Sequence, residues 1–120
     1  MKTVEGNKLL APLVGLVPAK DGYCRDRKGH SCRVEQLAFD SDWNKLHQVI
    51  DAIENKGFCV DITTTHVEIW HLDPLNEKTP IKRACRVMYK PGQEKMSSVW
   101  TACVKFVKWR EKTLTKMCKN

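Results

Sequence analysis

The stretch Phe39–Leu72, FDSDWNKLHQVIDAIENKGFCVDITTTHVEIWHL, decides the fold because its pattern predicts a helix followed by two strands. In the first half, apolar residues recur at helical spacing and form one face. These residues are Trp43, Leu46, Val49, Ile50 and Ile53. Asp40 or Ser41 supplies a side-chain oxygen that caps the helix start, and Gly57 supplies the left-handed residue that closes its end.

Beyond Gly57 the apolar period changes from 3.6 residues to 2, which is typical of half-buried strands. Thr64-Thr65 separates two such strands, and the second ends at Asp73-Pro74 because proline cannot donate to a ladder. The apolar face of the first strand holds Phe58, Val60 and Ile62. The second strand places Val67, Ile69 and His71 on one face and Glu68, Trp70 and Leu72 on the other.

The C-terminal part adds a third strand and a second helix. The strand covers Ile81–Tyr89, with Ile81, Cys85, Val87 and Tyr89 inward and Lys82, Ala84, Arg86 and Met88 outward. After a turn at Pro91-Gly92, Ser97 or Ser98 caps a helix that runs to about Lys116. The apolar face of this helix consists of Met96, Val99, Trp100, Cys103, Phe106, Val107, Leu114 and Met117.

The N-terminal forty residues carry weaker signals. Asn7–Val17 is predicted as a short strand or a helical turn, and Tyr23–Arg33 as a loop or an edge hairpin. The whole chain, residues 1–120, is predicted as a single α+β domain. Its architecture is a small antiparallel sheet of about three to four strands packed with two amphipathic helices. The order is helix, strand, strand, strand, helix after an N-terminal strand or loop.

Composition is that of a soluble globular protein, with 42% apolar and 29% charged residues. The longest apolar stretches, around Leu9–Val17 and Val99–Val107, fall far short of the roughly 20 residues that cross a bilayer. The first stretch also lacks a continuous apolar region and a small-residue cleavage site. We therefore expect a cytoplasmic protein without a membrane partner.

Positive charge is concentrated at the C-terminal end. Residues 80–120 contain eleven Lys or Arg and two acids, a net charge of +9, whereas the whole chain has +7. On the predicted helix, Lys105, Lys108, Lys112 and Lys116 fall with Lys119 in a sector of about 80° opposite the apolar face. With Trp109 beside this stripe and Arg86 on the preceding strand, these residues are the candidate nucleic-acid-binding set.

Six cysteines, at positions 24, 32, 59, 85, 103 and 118, are expected to be free thiols in a reducing cytoplasm. A zinc site would rest on Cys24, His30 and Cys32, but the chain has no Cys-x-x-Cys pair. A glycine-rich phosphate loop is also missing from the sequence. We expect no metal and no cofactor.

Catalytic residues are not predicted either. Cys59 with His66 or His71 is one weak alternative, because a hairpin can bring a thiol and an imidazole together. Asp61 and Glu68 are another, because both project from one sheet surface. Acids that alternate with apolar residues, however, usually solvate an exposed face.

Four segments resemble parts of a set of short uncharacterised proteins from phages and mobile elements of Bacteroides-type gut bacteria. The segments are Asn7–Ala11, Ser41–Leu46, Val49–Glu54 with Gly57, and Val99–Trp109. They cover about half of the chain. The loop from Cys24 to Arg33 has no counterpart in the resemblance, and the family's acid and Tyr-Asn pair are missing near Lys105 and Arg110. The resemblance implies a phage-like or gut-bacterial origin and implies no activity.

Three functions stay open at this point. The first is a protein-binding module encoded by a phage or mobile element, and the second is a nucleic-acid-binding protein that uses the basic helix face. A small enzyme is the third and the least favoured. The expected partner is an unknown protein or a nucleic acid, and homo-oligomerisation stays open. Steep loss of affinity with salt would distinguish phosphate binding from an apolar protein interface.

Overall fold

The computed structural model describes the backbone of residues 3–73 and 75–118, and the side chains of these residues except 73, 76–81 and 115–118. Within this part of the chain there are three helices and two three-stranded antiparallel sheets. The helices are α1 (Thr3–Leu10), α2 (Trp43–Glu54) and α3 (Lys95–Cys118). The first sheet comprises β1 (Val17–Pro18), β2 (Tyr23–Arg25) and β3 (Ser31–Arg33). The second comprises β4 (Phe58–Ile62), β5 (His66–Asp73) and β6 (Asn76–Met88).

The α+β class is confirmed, but the N-terminal forty residues are more ordered than the sequence indicated. The Tyr23–Arg33 segment forms an edge hairpin, β2–β3, and with β1 it makes a sheet of its own. For the Asn7–Val17 segment the helical alternative is confirmed, because α1 and a 3-10 turn at Ala11–Val14 occupy most of it and only Val17 belongs to a strand. The chain thus has one more helix and one more sheet than predicted.

Contact with α3 explains why the N-terminal segment is helical. A Cβ atom at Gly6 would overlap Cζ2 of the Trp100 indole and lie 2.6 Å from its Cη2, so only glycine lets α1 approach this closely. The next residue, Asn7, is buried, and its Oδ1 accepts a hydrogen bond from Trp100 Nε1 at 2.8 Å. Its Nδ2 donates to Asp40 Oδ1 at 3.0 Å. This tertiary contact cannot be read from apolar periodicity.

The central helix and hairpin follow the sequence closely. The N-cap is Asp42, whose Oδ1 accepts from the backbone N–H of Asn44 at 2.9 Å, and neither Asp40 nor Ser41 serves as the cap. Asp40 has another role, because its carboxylate accepts from Asn7. At the other end, Gly57 has φ +92°, the left-handed conformation that the sequence predicted.

The second sheet has the predicted register of faces. Val60 lies opposite Ile69 and Ile62 opposite Val67, all on the face that α3 covers. The edge strand β6 begins at Asn76, five residues before the predicted start, and includes Pro80. An edge strand tolerates proline because one row of its backbone groups has no ladder partner.

A β-bulge in β6 changes which side chains face inward. Cys85 lies opposite Ile69, whereas Arg83 lies opposite the next residue, Trp70, so Ala84 is an extra residue in the ladder. The alternation therefore shifts, and Lys82 pairs with His71 on the face of α3, although it was predicted to face outward. The predicted inward position of Ile81 concerns a side chain outside the described set.

The core lies between the second sheet and the helices. In it, Phe106 packs edge-on against Phe58, with the two ring centres 4.7 Å apart. Two predicted core residues are wrong: Trp43 is 38% exposed with its ring tilted against that of His47, and Leu114 is 50% exposed. The start of α3 is also wrong, since Ser98 is buried inside the first turns of a helix that begins at Lys95. Across the described residues, none of the helices combines the length and apolarity of a membrane span.

Candidate functional site

Helix α3 runs antiparallel to the edge strand β6, and three contacts fix the alignment. Near the start of the helix, Lys95 Nζ lies 5.8 Å from the ring centre of Tyr89. In the middle, the Cys85 thiol donates to the carbonyl of Ala102 at 3.4 Å. Further along, Lys82 Nζ lies 5.8 Å from the ring centre of Trp109. The exposed face of α3 and the inner edge of β6 consequently form one continuous surface.

Four lysines share this surface, and we call them the lysine row. Its members are Lys82 on β6 and Lys105, Lys108 and Lys112 on α3. All four are exposed, which confirms the predicted orientation of the three helical lysines. No ion pair between described side chains involves any of the four. Among the described side chains, the row is therefore a positive surface on which none of the four lysines is recorded in an ion pair.

Lys82 was missed as a site residue because strict alternation placed it on the other face of the sheet. Only the bulge at Ala84 brings it to α3. Lys116 was predicted to continue the stripe; its backbone is helical, and its side chain lies outside the described set.

Trp109 sits beside the lysine row, but most of its ring is engaged. The ring centre is 6.0 Å from Phe58 and 6.2 Å from Phe106, and the side chain packs against the core. Lys82 covers the ring from the solvent side. A nucleic-acid base would have to displace Lys82 in order to stack there.

Arg86 lies apart from the lysine row. It is exposed on the outer face of the second sheet, opposite Glu68 in the ladder, whereas α3 covers the inner face. Its neighbour Arg83 also belongs to the outer face, with Nη1 3.4 Å from Glu68 Oε2. The structure does not bring Arg86 together with the helical lysines.

The outer face of the second sheet carries a small polar network around Glu68. Asp61 lies directly opposite Glu68, as the sequence indicated, and His66 Nε2 is 2.7 Å from Glu68 Oε1. Burial raises the pKa of Glu68, but hydrogen bonds from His66 and Arg83 outweigh it and hold the pKa below the usual value. A carboxylate kept ionised in this way suits an ion pair better than a general acid.

Two thiols beside α3 are poor candidates for a catalytic nucleophile because they are buried. Burial raises the pKa of Cys85 to about 11 and that of Cys103 to about 12. The weak Cys59 alternative is wrong, because Cys59 lies opposite Trp70. His71 belongs to the other sheet face, and His66 is four ladder positions away.

The zinc alternative also lacks its ligands. Cys24 and Cys32 are free thiols, and His30 Nδ1 lies 3.2 Å from Asp26 Oδ2, its neighbour across the hairpin turn. In the part of the chain that the structure describes, no three His, Cys, Asp or Glu side chains are grouped so as to hold a metal ion.

A cleft of about 240 Å³ lies where α1, the 3-10 turn that follows it, the turn after α2 and the second half of α3 meet. Its apolar lining is Leu9, Pro12, Leu13, Val107 and Leu114, and its charged lining is Lys56, Arg110 and Glu111. The sequence could not indicate this cleft, because its walls come from segments that are far apart in the chain.

Comparison with known proteins adds no identification. No protein-family model, no curated protein and no solved structure matches this chain. The function therefore has to be inferred from the side chains and their arrangement.

Proposed function

We propose that this protein binds nucleic acid through the phosphate backbone, with the lysine row as the contact surface. The observation that carries the proposal is the row itself: four exposed lysines on two adjoining elements, with no ion pair to a described acid. A helix and a strand fix the backbone at these positions, so the ordering cost of phosphate binding is confined to the lysine side chains. Release of condensed counterions from the nucleic acid supplies the driving force.

The arrangement favours backbone contacts over base contacts. Stacking on an unpaired base requires a free aromatic face, and the ring of Trp109 is held between core aromatics and Lys82. Phosphate contacts carry no sequence information directly. Binding should accordingly be non-specific and should not require single-stranded substrate.

Charge reversal tests the proposal. We expect Lys105→Glu, Lys108→Glu and Lys112→Glu together to abolish retardation of generic double-stranded DNA in a gel shift at about 50 mM salt. The matched control is Lys20→Glu with Arg27→Glu and Lys28→Glu, which changes the net charge equally at exposed positions of the first sheet and its turns. Equal losses of DNA retardation in both triple variants would show that only net charge matters, and would exclude the lysine row as the binding site. Failure of the wild-type protein to bind the DNA would exclude nucleic-acid binding as its function.

Protein binding is the second candidate, and the cleft favours it. Leu114 is 50% exposed at an apolar surface that also includes Leu9 and Leu13. A large apolar side chain of a partner fits a space of this size, and Lys56 and Arg110 favour a partner with a neighbouring acid. Selection from a displayed peptide library should enrich such peptides on the wild-type protein and not on Leu114→Lys. Equal enrichment on both would exclude the cleft as the docking site.

Origin and location are separate proposals. The segment resemblance supports a phage or mobile element of a gut bacterium as the source, and it supports no particular activity. The composition supports a cytoplasmic location.

A further inference from the structure

The β2–β3 hairpin places two cysteines directly opposite each other. Cys24 of β2 is the ladder partner of Cys32 of β3, and both are free thiols. Cys24 is fully buried, whereas Cys32 is partly exposed at the edge of the core. The nucleic-acid proposal makes no use of this pair.

The hydrogen bonds that flank the pair define its geometry. On one side the N–H of Asp26 donates to the carbonyl of His30, and on the other the N–H of Val34 donates to that of Gly22, both at 3.0 Å. Because hydrogen-bonded and non-bonded pairs alternate along an antiparallel ladder, Cys24 and Cys32 form a hydrogen-bonded pair. Such pairs have Cα atoms about 5.5 Å apart.

That spacing suits a disulfide. Bridged cysteines usually have Cα atoms about 4.4–6.8 Å apart, so the bond can close without separating the strands. Directly opposed residues have Cβ atoms about 4.5–5.5 Å apart, with hydrogen-bonded pairs at the wide end, so the two Cβ atoms must approach to reach the roughly 3.5–4.5 Å of a disulfide. The bridged hairpin would carry some strain, and strained disulfides are the more readily reduced ones.

We propose that Cys24 and Cys32 are a reversible redox site that is oxidised by a low-molecular-weight disulfide of the glutathione type. The Cys32 thiolate attacks one sulfur of that disulfide, which forms a mixed disulfide and releases one thiolate. Cys24 then attacks the Cys32 sulfur, which forms the intramolecular bond and expels the second thiolate. The two thiol protons of the protein end on the two released thiols. The protein loses two electrons and the small disulfide gains them.

Exposure sets the order of the two attacks. Cys32 is the thiol that a small disulfide can reach, whereas burial raises the pKa of Cys24 and shields it. Once the mixed disulfide has formed at Cys32, however, Cys24 lies opposite the bonded sulfur. Its reaction is then intramolecular and needs no access from solvent.

Two of the other described thiols, Cys59 and Cys103, provide internal controls. Cys59 lies opposite Trp70 and has no cysteine in its ladder position. Cys103 is fully buried, and burial raises its pKa to about 12, so its thiolate is scarce at neutral pH. We expect neither to appear in a cross-linked peptide pair under conditions that oxidise the hairpin pair, although Cys59 is accessible enough to form a glutathione adduct.

The test uses the full-length protein equilibrated with defined ratios of reduced and oxidised glutathione, then alkylated and mapped by mass spectrometry. The proposal predicts loss of alkylation at positions 24 and 32 together, as one cross-linked peptide pair that dithiothreitol releases. In the Cys24→Ser variant the reaction should stop at a glutathione adduct on Cys32. In the Cys32→Ser variant Cys24 should stay a free thiol. Thiols at 24 and 32 that both stay alkylated under oxidising conditions would overturn the proposal. Separate glutathione adducts on wild-type Cys24 and Cys32 would overturn it equally.

Wild-type protein alone decides the question if a serine variant fails to fold. The result is also independent of nucleic-acid binding, because the gel shift can be run in excess dithiothreitol. Loss of one property therefore leaves the other measurable.

Discussion

The two sides of α3 differ in their contacts with the rest of the protein and in what they can bind. On the inner side Phe106 is fully buried against Phe58, and Trp100 packs against Gly6 of α1. On the outer side Lys105, Lys108 and Lys112 are exposed and make no ion pair with a described acid. The same helix thus carries the core on one face and exposed lysines on the other, and substitutions should separate stability from binding.

The largest stability effect should come from the inner side. Phe106→Ala should lower the free energy of unfolding by about 3–5 kcal/mol, because it removes a fully buried ring and leaves a cavity. Lys108→Ala, two residues along on the outer side, should change it by less than about 0.5 kcal/mol. Denaturant titration followed by tryptophan fluorescence measures both. Similar losses from the two substitutions would contradict the division of the helix into a packed and an exposed face.

A smaller loss should follow from disturbing the contact between α1 and α3. Gly6→Ala places a methyl group into the Trp100 indole, and overpacking of this kind costs about 1–3 kcal/mol. Thr3→Ala, at an exposed position of the same helix, is the matched control and should be nearly neutral. If Gly6→Ala were neutral too, α1 would not be docked as described, and the cleft it forms with α3 would lose its support.

The smallest predicted effect concerns the sheet face away from α3, and it depends on pH. The folded-state pKa of Glu68 lies below its usual value, so its contribution to stability is present above the unfolded pKa. That contribution is lost as the pH falls through the folded pKa. Glu68→Gln should consequently flatten the decline of stability at acid pH, as measured by thermal unfolding. If the decline of stability at acid pH were the same in Glu68→Gln as in the wild type, the contacts of Glu68 with His66 and Arg83 would contribute nothing to folding.

How far the sequence could predict the molecule depends on the range of each signal. The unit from Trp43 to Leu72 was predicted with its faces and its end at Gly57, because periodicity and left-handed glycine are local properties. The α+β class followed from that unit and from α3. Even here the cap is Asp42, because the helix begins at Trp43, and Asp40 instead accepts a hydrogen bond from the distant Asn7.

The features that were missed all depend on contacts between distant segments. Helix α1 is specified by the fit of Gly6 and Asn7 to Trp100, about ninety positions away in the sequence. The bulge at Ala84 arises from the pairing of two strands, and it brings Lys82 to the lysine row. Three helical lysines of the candidate site were predicted from the helical wheel, whereas the fourth member and the engagement of Trp109 required the assembled fold.

The salt dependence of duplex DNA binding tests the central proposal most directly. Four phosphate contacts predict that the logarithm of the association constant falls with the logarithm of the salt concentration with a slope of about −3 to −4. Lys108→Ala should reduce the magnitude of this slope by about 1, whereas Lys20→Ala, outside the lysine row, should leave it unchanged. Fluorescence anisotropy with a labelled duplex measures all three proteins. A slope that Lys108→Ala does not change, or no binding even at about 50 mM salt, would contradict the proposal that the lysine row binds nucleic acid.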